Sequence, residues 1–196
     1  AIALVASGLL TVPEALGAAD APTLALLFGL MVVSAQLRLG GFYSAVSRRI
    51  TAATASPAGL LARVMLAAAL LSAILANDIV CLAMAPILVE ATLARGLSPL
   101  PYLVGLALAA NIGSAATLIG NPQNMLIGQV VGLPFLGYLA AVWPCVAASL
   151  ALSFAGVVVA YRGRFAGPRL TLAVVAPPFH AWRSAKGLTA LGVCMA

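Results

Sequence analysis

The chain has 196 residues, of which 64% are hydrophobic and 7% are charged, and its formal net charge is +6. Soluble domains carry about 25% charged residues, so this composition excludes an ordinary soluble globular protein and indicates an integral membrane protein. The positive charge does not indicate nucleic-acid binding, because the Lys and Arg residues are distributed between apolar segments rather than gathered on one solvated face.

The first part of the chain alternates apolar segments with short polar ones. Residues 1–12 correspond to the second half of a membrane span, and residues 21–37 have a suitable length for a second span. The intervening loop, residues 13–20, has acidic side chains but no basic ones. The next segment predicts a short helix at the membrane interface, because it combines basic with aromatic residues: Arg38, Phe42, Tyr43, Arg48 and Arg49.

Residues 58–95 contain two apolar arms joined by Asn77 and Asp78. The arms, residues 64–76 and 79–89, look too short for an ~30 Å hydrocarbon core, because about 13 helical residues extend over only ~20 Å. We therefore predict a re-entrant hairpin that enters and leaves the membrane on the cytoplasmic side, with Asn77 and Asp78 at its tip. The alternative is two short complete spans with both residues in an outer loop.

Residues 97–131 form an apolar segment that polar and helix-breaking residues interrupt. Irregular backbone at membrane depth is tolerated only where protein buries it or where it lines a watery cavity, so we predict a broken helix built around a solute. Asn121 suits an N-cap, and Pro122 suits the first position of the helix that restarts there. The alternative is a kink in which Ser114 and Thr117 bond to the backbone. The candidate binding residues of this segment are Asn111, Gly113, Ser114, Thr117, Asn121 and Asn124.

The last part of the chain is predicted to be a long span over residues 135–161, a cytoplasmic linker over 166–187 and the start of another span at 188–196. We expect the first and the last span to be incomplete. Basic residues favour the cytoplasmic side, and all basic loops fall there if residues 58–95 cross the membrane an even number of times. The residues that define this topology are Arg38, Arg48, Arg49, Arg95, Arg162, Arg164 and Arg169.

Asp78 is the one acidic residue that we expect deep in the membrane. Intramembrane carboxylates commonly mark ion or proton pathways, so Asp78 is a candidate coupling group. The alternative is that Asp78 caps the helix that starts at Ile79. Oxygen atoms suited to a sodium ion are offered nearby by Asn77, Asn111, Gly113 and Ser114.

Residue types that carry enzyme chemistry are scarce. The three cysteines, Cys81, Cys145 and Cys194, lie in apolar stretches without CxxC or His-paired spacing, so we interpret them as small core residues. The single histidine, His180, lies in a Pro-rich segment typical of a linker. The sequence has no nucleophile–base pair or cofactor fingerprint. We therefore expect no enzyme activity and no cofactor apart from a sodium ion.

Two segments carry a family resemblance: NDIVCLAMAPI at residues 77–87 and AANIGSAATLIGNPQNMLIG at residues 109–128. Together they resemble the paired signatures of the ion transporter superfamily, which includes citrate and dicarboxylate carriers, divalent anion–sodium symporters, arsenite permeases and certain sodium/proton antiporters. The resemblance covers about residues 1–165. It implies two inverted repeats, each with a re-entrant hairpin and a broken helix, and one half of the transport site between them. The second half-site would lie beyond Ala196.

The resemblance is less close at the hairpin tip. The family's Ser-Asn-Thr tip falls on Ala76-Asn77-Asp78, where only the Asn matches. The missing hydroxyls weigh against the sodium/dicarboxylate branch, and the acidic residue favours branches of the arsenite and proton-linked antiport types.

The sequence and the resemblance together predict an all-α membrane protein that acts as a secondary active transporter of the bacterial inner-membrane type. It would move a small inorganic or carboxylate anion, or an oxyanion, with a coupled sodium ion or proton by alternating access. The resemblance also implies a homodimer. The alternatives are a sodium/proton antiporter or an arsenite efflux permease and, from a different class, a channel or a non-transporting membrane scaffold. A channel is disfavoured because the polar residues cluster at two points rather than along a pore.

Overall fold

The computed structural model describes residues 2–9, 11–17, 21–52, 56–170 and 179–195, and in these ranges every regular element is an α-helix. Three of the helices in these ranges are long and apolar enough to cross a membrane: Pro57–Ile74, Asn77–Ala94 and Phe135–Ala160. The predicted all-α architecture with helices of membrane-spanning length is therefore confirmed. The helices in chain order are α1 (Ile2–Ala6), α2 (Val12–Gly17), α3 (Ala21–Leu39), α4 (Phe42–Ala52), α5 (Pro57–Ile74), α6 (Asn77–Ala94), α7 (Leu100–Ser114), α8 (Pro122–Val131), α9 (Phe135–Ala160) and α10 (Ala181–Met195).

Helix α2 begins at Val12 and covers residues 13–17 of the predicted loop. Thr11 and Glu14 explain its start, because the Thr11 backbone N–H and hydroxyl both donate to the Glu14 carboxylate, at 2.9 and 2.7 Å. These two hydrogen bonds give partners to polar groups at the helix N-terminus, where backbone N–H donors have no partner within the helix. The loop prediction for residues 13–20 is thus wrong over the α2 residues, and residues 18–20 lie outside the described ranges.

Helix α5 is the centre of the packed core. Its start is fixed by Ser56, whose hydroxyl accepts a hydrogen bond from Gly59 N at 3.1 Å, and by Pro57 in the first turn. Seven of its 18 residues are buried: Leu60, Leu61, Val64, Met65, Ala68, Ala69 and Ser72.

Helix α9 has the opposite character, since Val157 is the only buried residue among its 26 residues. An apolar helix that stays exposed over this length is typical of a helix that faces lipid. Cys145 is among its exposed residues, so the interpretation of Cys145 as a core residue is wrong. Cys81 is half-buried on α6.

The two arms joined at Asn77 and Asp78 are longer than the sequence analysis predicted. Helices α5 and α6 have 18 residues each, which corresponds to about 27 Å. The predicted arms of residues 64–76 and 79–89 were too short because both helices continue past charged residues: α5 begins before Arg63, and α6 continues beyond Glu90. Arm length therefore no longer favours a re-entrant hairpin over two complete spans.

Helices α5 and α7 run in the same direction and pack closely. At one end the Tyr102 hydroxyl donates to the Pro57 carbonyl at 3.2 Å, and at the other end the Thr117 hydroxyl donates to the Ala73 carbonyl. Gly113 allows this approach, since a Cβ there would lie within 2.6 Å of three backbone atoms of Ala69. The C-terminal ends of α5 and α7 therefore lie side by side.

Helix α6 returns to the end from which α5 started. Arg95, which follows α6, donates through Nη2 to the Thr51 carbonyl of α4. The chain then begins α7 beside the residues that follow α9, because Ser98 N donates to the Phe165 carbonyl at 2.9 Å. These contacts place the starts of α5 and α7 and the ends of α6 and α9 together, as an even number of passages through residues 58–95 requires.

The predicted interruption of the third apolar segment is confirmed. Helix α7 ends at Ser114, residues 115–121 are not helical, and α8 starts at Pro122. Helix α8 ends at Val131 and is capped by Gly132, whose φ of 67° lies in the left-handed region that favours glycine. Helix α9 then returns past the interruption, where the Tyr138 hydroxyl donates to the Ala115 carbonyl at 3.0 Å.

Helix α10 begins at Ala181, inside the range 166–187 that the sequence analysis predicted to be a linker. The helix packs on α3, because His180 N donates to the Gly40 carbonyl at 2.9 Å and Ser184 lies buried against the same glycine. A Cβ on Gly187 would lie 2.9 Å from the Leu37 side chain, so this glycine also brings the two helices together. Residues 171–178 of the predicted linker lie outside the described ranges.

Candidate functional site

The α5–α6 tip and the interruption between α7 and α8 meet through a pair of asparagines. Asn77 Nδ2 donates to Asn111 Oδ1 at 3.2 Å, and Asn111 Nδ2 in turn donates to the Ala107 carbonyl of its own helix at 3.0 Å. Residues 34 positions apart in sequence are thereby joined. The structure thus brings together the two polar segments that the sequence analysis selected.

Asn77 and Asp78 form the first turn of α6. Asn77 Oδ1 accepts a hydrogen bond from Asp78 N at 3.0 Å. Ala76 occupies the N-cap position without a side-chain cap, and Asp78 lies inside the helix rather than before it. The alternative interpretation of Asp78 as an N-cap is therefore wrong. Its carboxylate still lies at the helix N-terminus, where the macrodipole stabilises negative charge.

The polar side chains of the interruption are largely engaged in shaping its backbone. Asn121 caps α8 as predicted, with Oδ1 accepting from Asn124 N at 2.8 Å, and its Nδ2 donates to the Ser114 carbonyl at 3.2 Å. Asn124 Nδ2 donates to the Thr117 carbonyl at 3.0 Å, and Thr117 reaches Ala73 on α5. The Ser114 hydroxyl donates to the Asn111 carbonyl at 2.9 Å. The Ser114 and Thr117 hydroxyls thus bond to backbone carbonyls, as the alternative of a kinked helix predicts.

Two glycines permit the tight turn of the interruption. A Cβ on Gly120 would lie within 2.8 Å of three Ser114 backbone atoms, so the chain can fold back on α7 only with glycine there. Gly113 lies within α7, where it packs against Ala69, and its carbonyl accepts from Ala116 N at 3.0 Å. Both glycines thus allow two backbone segments to approach more closely than a side chain would permit.

A cavity of about 120 Å³ lies where α3, the α5–α6 tip and the start of α8 meet. Of the predicted site residues, Asn77, Asp78 and Asn121 line it. Asn111 bonds to Asn77 but does not line the cavity. The other predicted site residues that do not line it are Gly113, Ser114, Thr117 and Asn124. The remaining wall is mostly apolar and comprises Leu27, Leu30, Met31, Ala76, Ile79, Ile119, Gly120, Pro122 and Met125.

The sequence analysis missed the wall that α3 provides. Leu27, Leu30 and Met31 look like ordinary span residues, and no local pattern distinguishes them from lipid-facing ones. Gly120 and Pro122 were visible as helix breakers but were not assigned to the cavity. The spacing of Leu27, Leu30 and Met31 places them on one helical face, but it does not show that this face meets the cavity.

The N-termini of α6 and α8 converge on this cavity. The first residues of both helices, Asn77 and Pro122, line it. A helix N-terminus carries roughly half a positive charge and is a favourable environment for an anion. The carboxylate of Asp78 adds negative charge beside it. The arrangement can therefore stabilise a small polar or anionic solute together with a cation or a proton.

Comparison with known proteins agrees with this architecture. The citrate transporter family (CitMHS) matches residues 1–193. Relatives include the silicon efflux transporter LSI3 of Oryza sativa subsp. japonica, 32% identical over 78% of this chain and 32% of that protein. The inner membrane protein YbiR of Escherichia coli K12 is 37% identical over 68% of this chain and 36% of that protein. The putative transporter arsB of Dictyostelium discoideum is 34% identical over 59% of this chain and 21% of that protein.

No solved structure gives a significant match. The chain spans about a third or less of the length of these curated relatives. The family match covers almost the whole chain, and the structure contains helices of membrane-spanning length. These two findings show the family and the location in a membrane. The chain is a multi-pass membrane protein that belongs to the citrate transporter family.

Proposed function

We propose that this chain forms the first repeat of a secondary active transporter that moves a small anion or oxyanion by alternating access. The observation that carries the proposal is the convergence of the α6 and α8 N-termini on one cavity, with Asp78 in its wall. Broken helices that present their inner ends to substrate and ions are typical of secondary transporters. The chain would provide one half-site, and a second repeat would provide the other.

The solute is proposed to be small and inorganic rather than a tricarboxylate on the names of the relatives, because the cavity is only part of one half-site and does not limit the size of the solute. Relatives named for silicon efflux and as an arsB-type transporter support the same class. We therefore propose an inorganic oxyanion or oxyacid as the first candidate substrate and a carboxylate anion as the second. With arsenite as the substrate, the protein would be an arsenite efflux permease.

The coupling ion is proposed to be a proton or sodium, with Asp78 as the coupling group. A carboxylate beside an anion site raises the energy of the bound anion unless a cation or a proton accompanies it. A sodium ion would be held by oxygens of Asn77, Asn111, Gly113 and Ser114, whose carbonyl and amide oxygens each have two lone pairs. The same carboxylate favours a sodium/proton antiporter as the second candidate function.

The movement is proposed to carry the α5–α6 pair and the broken helix as one unit. The Asn77–Asn111 and Thr117–Ala73 hydrogen bonds tie the α5–α6 tip to the interruption, so the two can travel together. We infer that α5 and α6 form a re-entrant hairpin, that a second repeat related by inversion faces them, and that the complete transporter is a homodimer.

Replacing Asp78 by Asn in the full-length transporter, reconstituted in proteoliposomes, tests the proposal. Flux of arsenite, sulfate, citrate, succinate and sodium would be measured with and without pH and sodium gradients. We expect Asp78→Asn to abolish gradient-driven flux, because the neutral amide neither exchanges a proton nor attracts a cation.

Glu90→Gln is the matched control, since Glu90 is the other carboxylate of α6, is half-buried and does not line the cavity. It should retain gradient-driven flux. Gradient-driven flux that survives in Asp78→Asn would remove the coupling role. Flux that no gradient drives in the wild type would favour a channel, and no flux of any tested solute would favour a scaffold.

A further inference from the structure

A groove between α4 and α5 lies apart from the cavity described above. It is shallow and open over most of its extent, with a volume of about 370 Å³. Its lining comprises Val46, Arg49 and Ile50 from α4 and Arg63, Leu66, Ala67 and Leu70 from α5. Two guanidinium groups therefore share one groove with an apolar surface.

The spacing of these residues explains the groove. On α5, Arg63, Leu66, Ala67 and Leu70 follow the i, i+3, i+4, i+7 pattern of a single helical face. Leu66 and Leu70 are 54% and 62% exposed, although another face of α5 is buried in the core. This face of α5 is therefore an apolar stripe with a positive charge at one end.

The charged residue and the leucines of this face lie at different distances from the start of α5. Arg63 lies about 9 Å from the start of the helix and Leu70 about 20 Å, at 1.5 Å per residue. An arginine at such a position extends its guanidinium toward the membrane surface while its stem lies along apolar surface. The start of α5 is also the end at which Arg95 meets α4. In a membrane, this separation would place the Arg63 guanidinium at headgroup level and the leucines at acyl-chain level.

We propose that the α4–α5 groove binds an anionic phospholipid of the leaflet at this end of the helices. The phosphate would lie between Arg49 and Arg63, because guanidinium groups recognise phosphate oxygens through paired, charge-assisted hydrogen bonds. One acyl chain would follow Leu66 and Leu70. Charge complementarity selects the anionic headgroup, and the exposed apolar stripe selects a ligand with an acyl chain over free phosphate.

The test uses the full-length transporter in neutral detergent, titrated with phosphatidylglycerol or phosphatidylcholine while its melting temperature is recorded. Phosphatidylglycerol is expected to raise the melting temperature more than phosphatidylcholine. Arg49→Gln and Arg63→Gln should each lower the apparent affinity for phosphatidylglycerol about fivefold, the effect of removing one basic residue near an anionic surface. Arg48→Gln is the matched control, because Arg48 is exposed on the same helix but does not line the groove.

Several outcomes would overturn the proposal. They are an equal loss in Arg48→Gln, unchanged affinity in both groove variants, or equal protection by glycerol 3-phosphate, which has the phosphate but no acyl chain. A change of oligomer mass in Arg49→Gln or Arg63→Gln without a change in lipid preference would instead make the groove a protein interface. If the glutamine variants do not fold, Arg49→Lys and Arg63→Lys serve instead. They should still prefer phosphatidylglycerol but bind it more weakly than the wild type, and wild-type affinity would contradict guanidinium–phosphate pairing.

Discussion

Gly113 is the position at which the α5–α7 packing can be perturbed most sharply. A Cβ there would lie within 2.6 Å of the Ala69 carbonyl oxygen, Cα and carbonyl carbon. These are backbone atoms of a central helix, so they cannot move aside as the end of a flexible side chain can. Gly113→Ala must therefore separate α5 from α7 or displace the end of α7.

The size of the effect follows from this geometry. Ordinary Cβ contacts begin at about 3.4 Å, so α5 and α7 must separate by on the order of 1 Å in an interior packed as densely as a crystal. Overpacking of this kind costs about 1–3 kcal/mol. Gly156→Ala in α9 is the matched control, because no atom lies within 4 Å of the added Cβ. Alanine in a helix interior is favoured over glycine by about 0.5–1 kcal/mol.

The assay compares the thermal unfolding and the flux of both variants in the full-length transporter. We expect Gly113→Ala to unfold at a lower temperature than the wild type and to lose flux, because the Thr117–Ala73 bond that links the interruption to α5 lies just beyond Gly113. Gly156→Ala should unfold at or above the wild-type temperature and retain flux. Equal stability of the two variants would refute the inference that close α5–α7 packing positions the site.

Two further predictions concern hydrogen bonds of the site. The double-mutant cycle of Asn77→Ala and Asn111→Ala should show a coupling of about 0.5–1.5 kcal/mol in unfolding free energy, and strict additivity would mean that the bond does not hold the tip to α7. Asn121→Ala should destabilise by about 1 kcal/mol through loss of the α8 cap, whereas Gln123→Ala, at an exposed position in the first turn of the same helix, should change little. Equal effects of Asn121→Ala and Gln123→Ala on the unfolding temperature would contradict the capping role.

The sequence predicted the interruption well because its signals are local. Helix breakers and a capping residue act through neighbouring backbone atoms, so Gly120, Asn121 and Pro122 identify the break without knowledge of the fold. The cap at Asn121 and the restart at Pro122 lie where they were predicted. The juxtaposition of Asn77 with Asn111 was expected from the family resemblance alone, because no local rule joins residues so distant in sequence.

The extent of the helices and the apolar wall were predicted less well, for a different physical reason. Charged residues such as Arg63 and Glu90 mark the expected edge of hydrocarbon, but helix ends depend on caps and packing, and α5 and α6 continue past both. The wall from α3 depends on which face of that helix turns toward α8. This is a tertiary choice that a uniformly apolar sequence does not encode.

The hydrogen bonds of the interruption assign separate tasks to its polar residues. Ser114, Thr117, Asn121 and Asn124 bond to backbone atoms of the interruption and its neighbours, so their substitution should reduce stability and flux together. Asp78 lines the cavity at an exposed position, and the structure gives its carboxylate no part in that scaffold among the described hydrogen bonds. Its substitution should therefore change ion coupling while the unfolding temperature stays close to that of the wild type. A stretch that looks too polar for lipid thus serves mainly to hold two helix N-termini in place, and the proposed coupling group, Asp78, comes from the opposing tip.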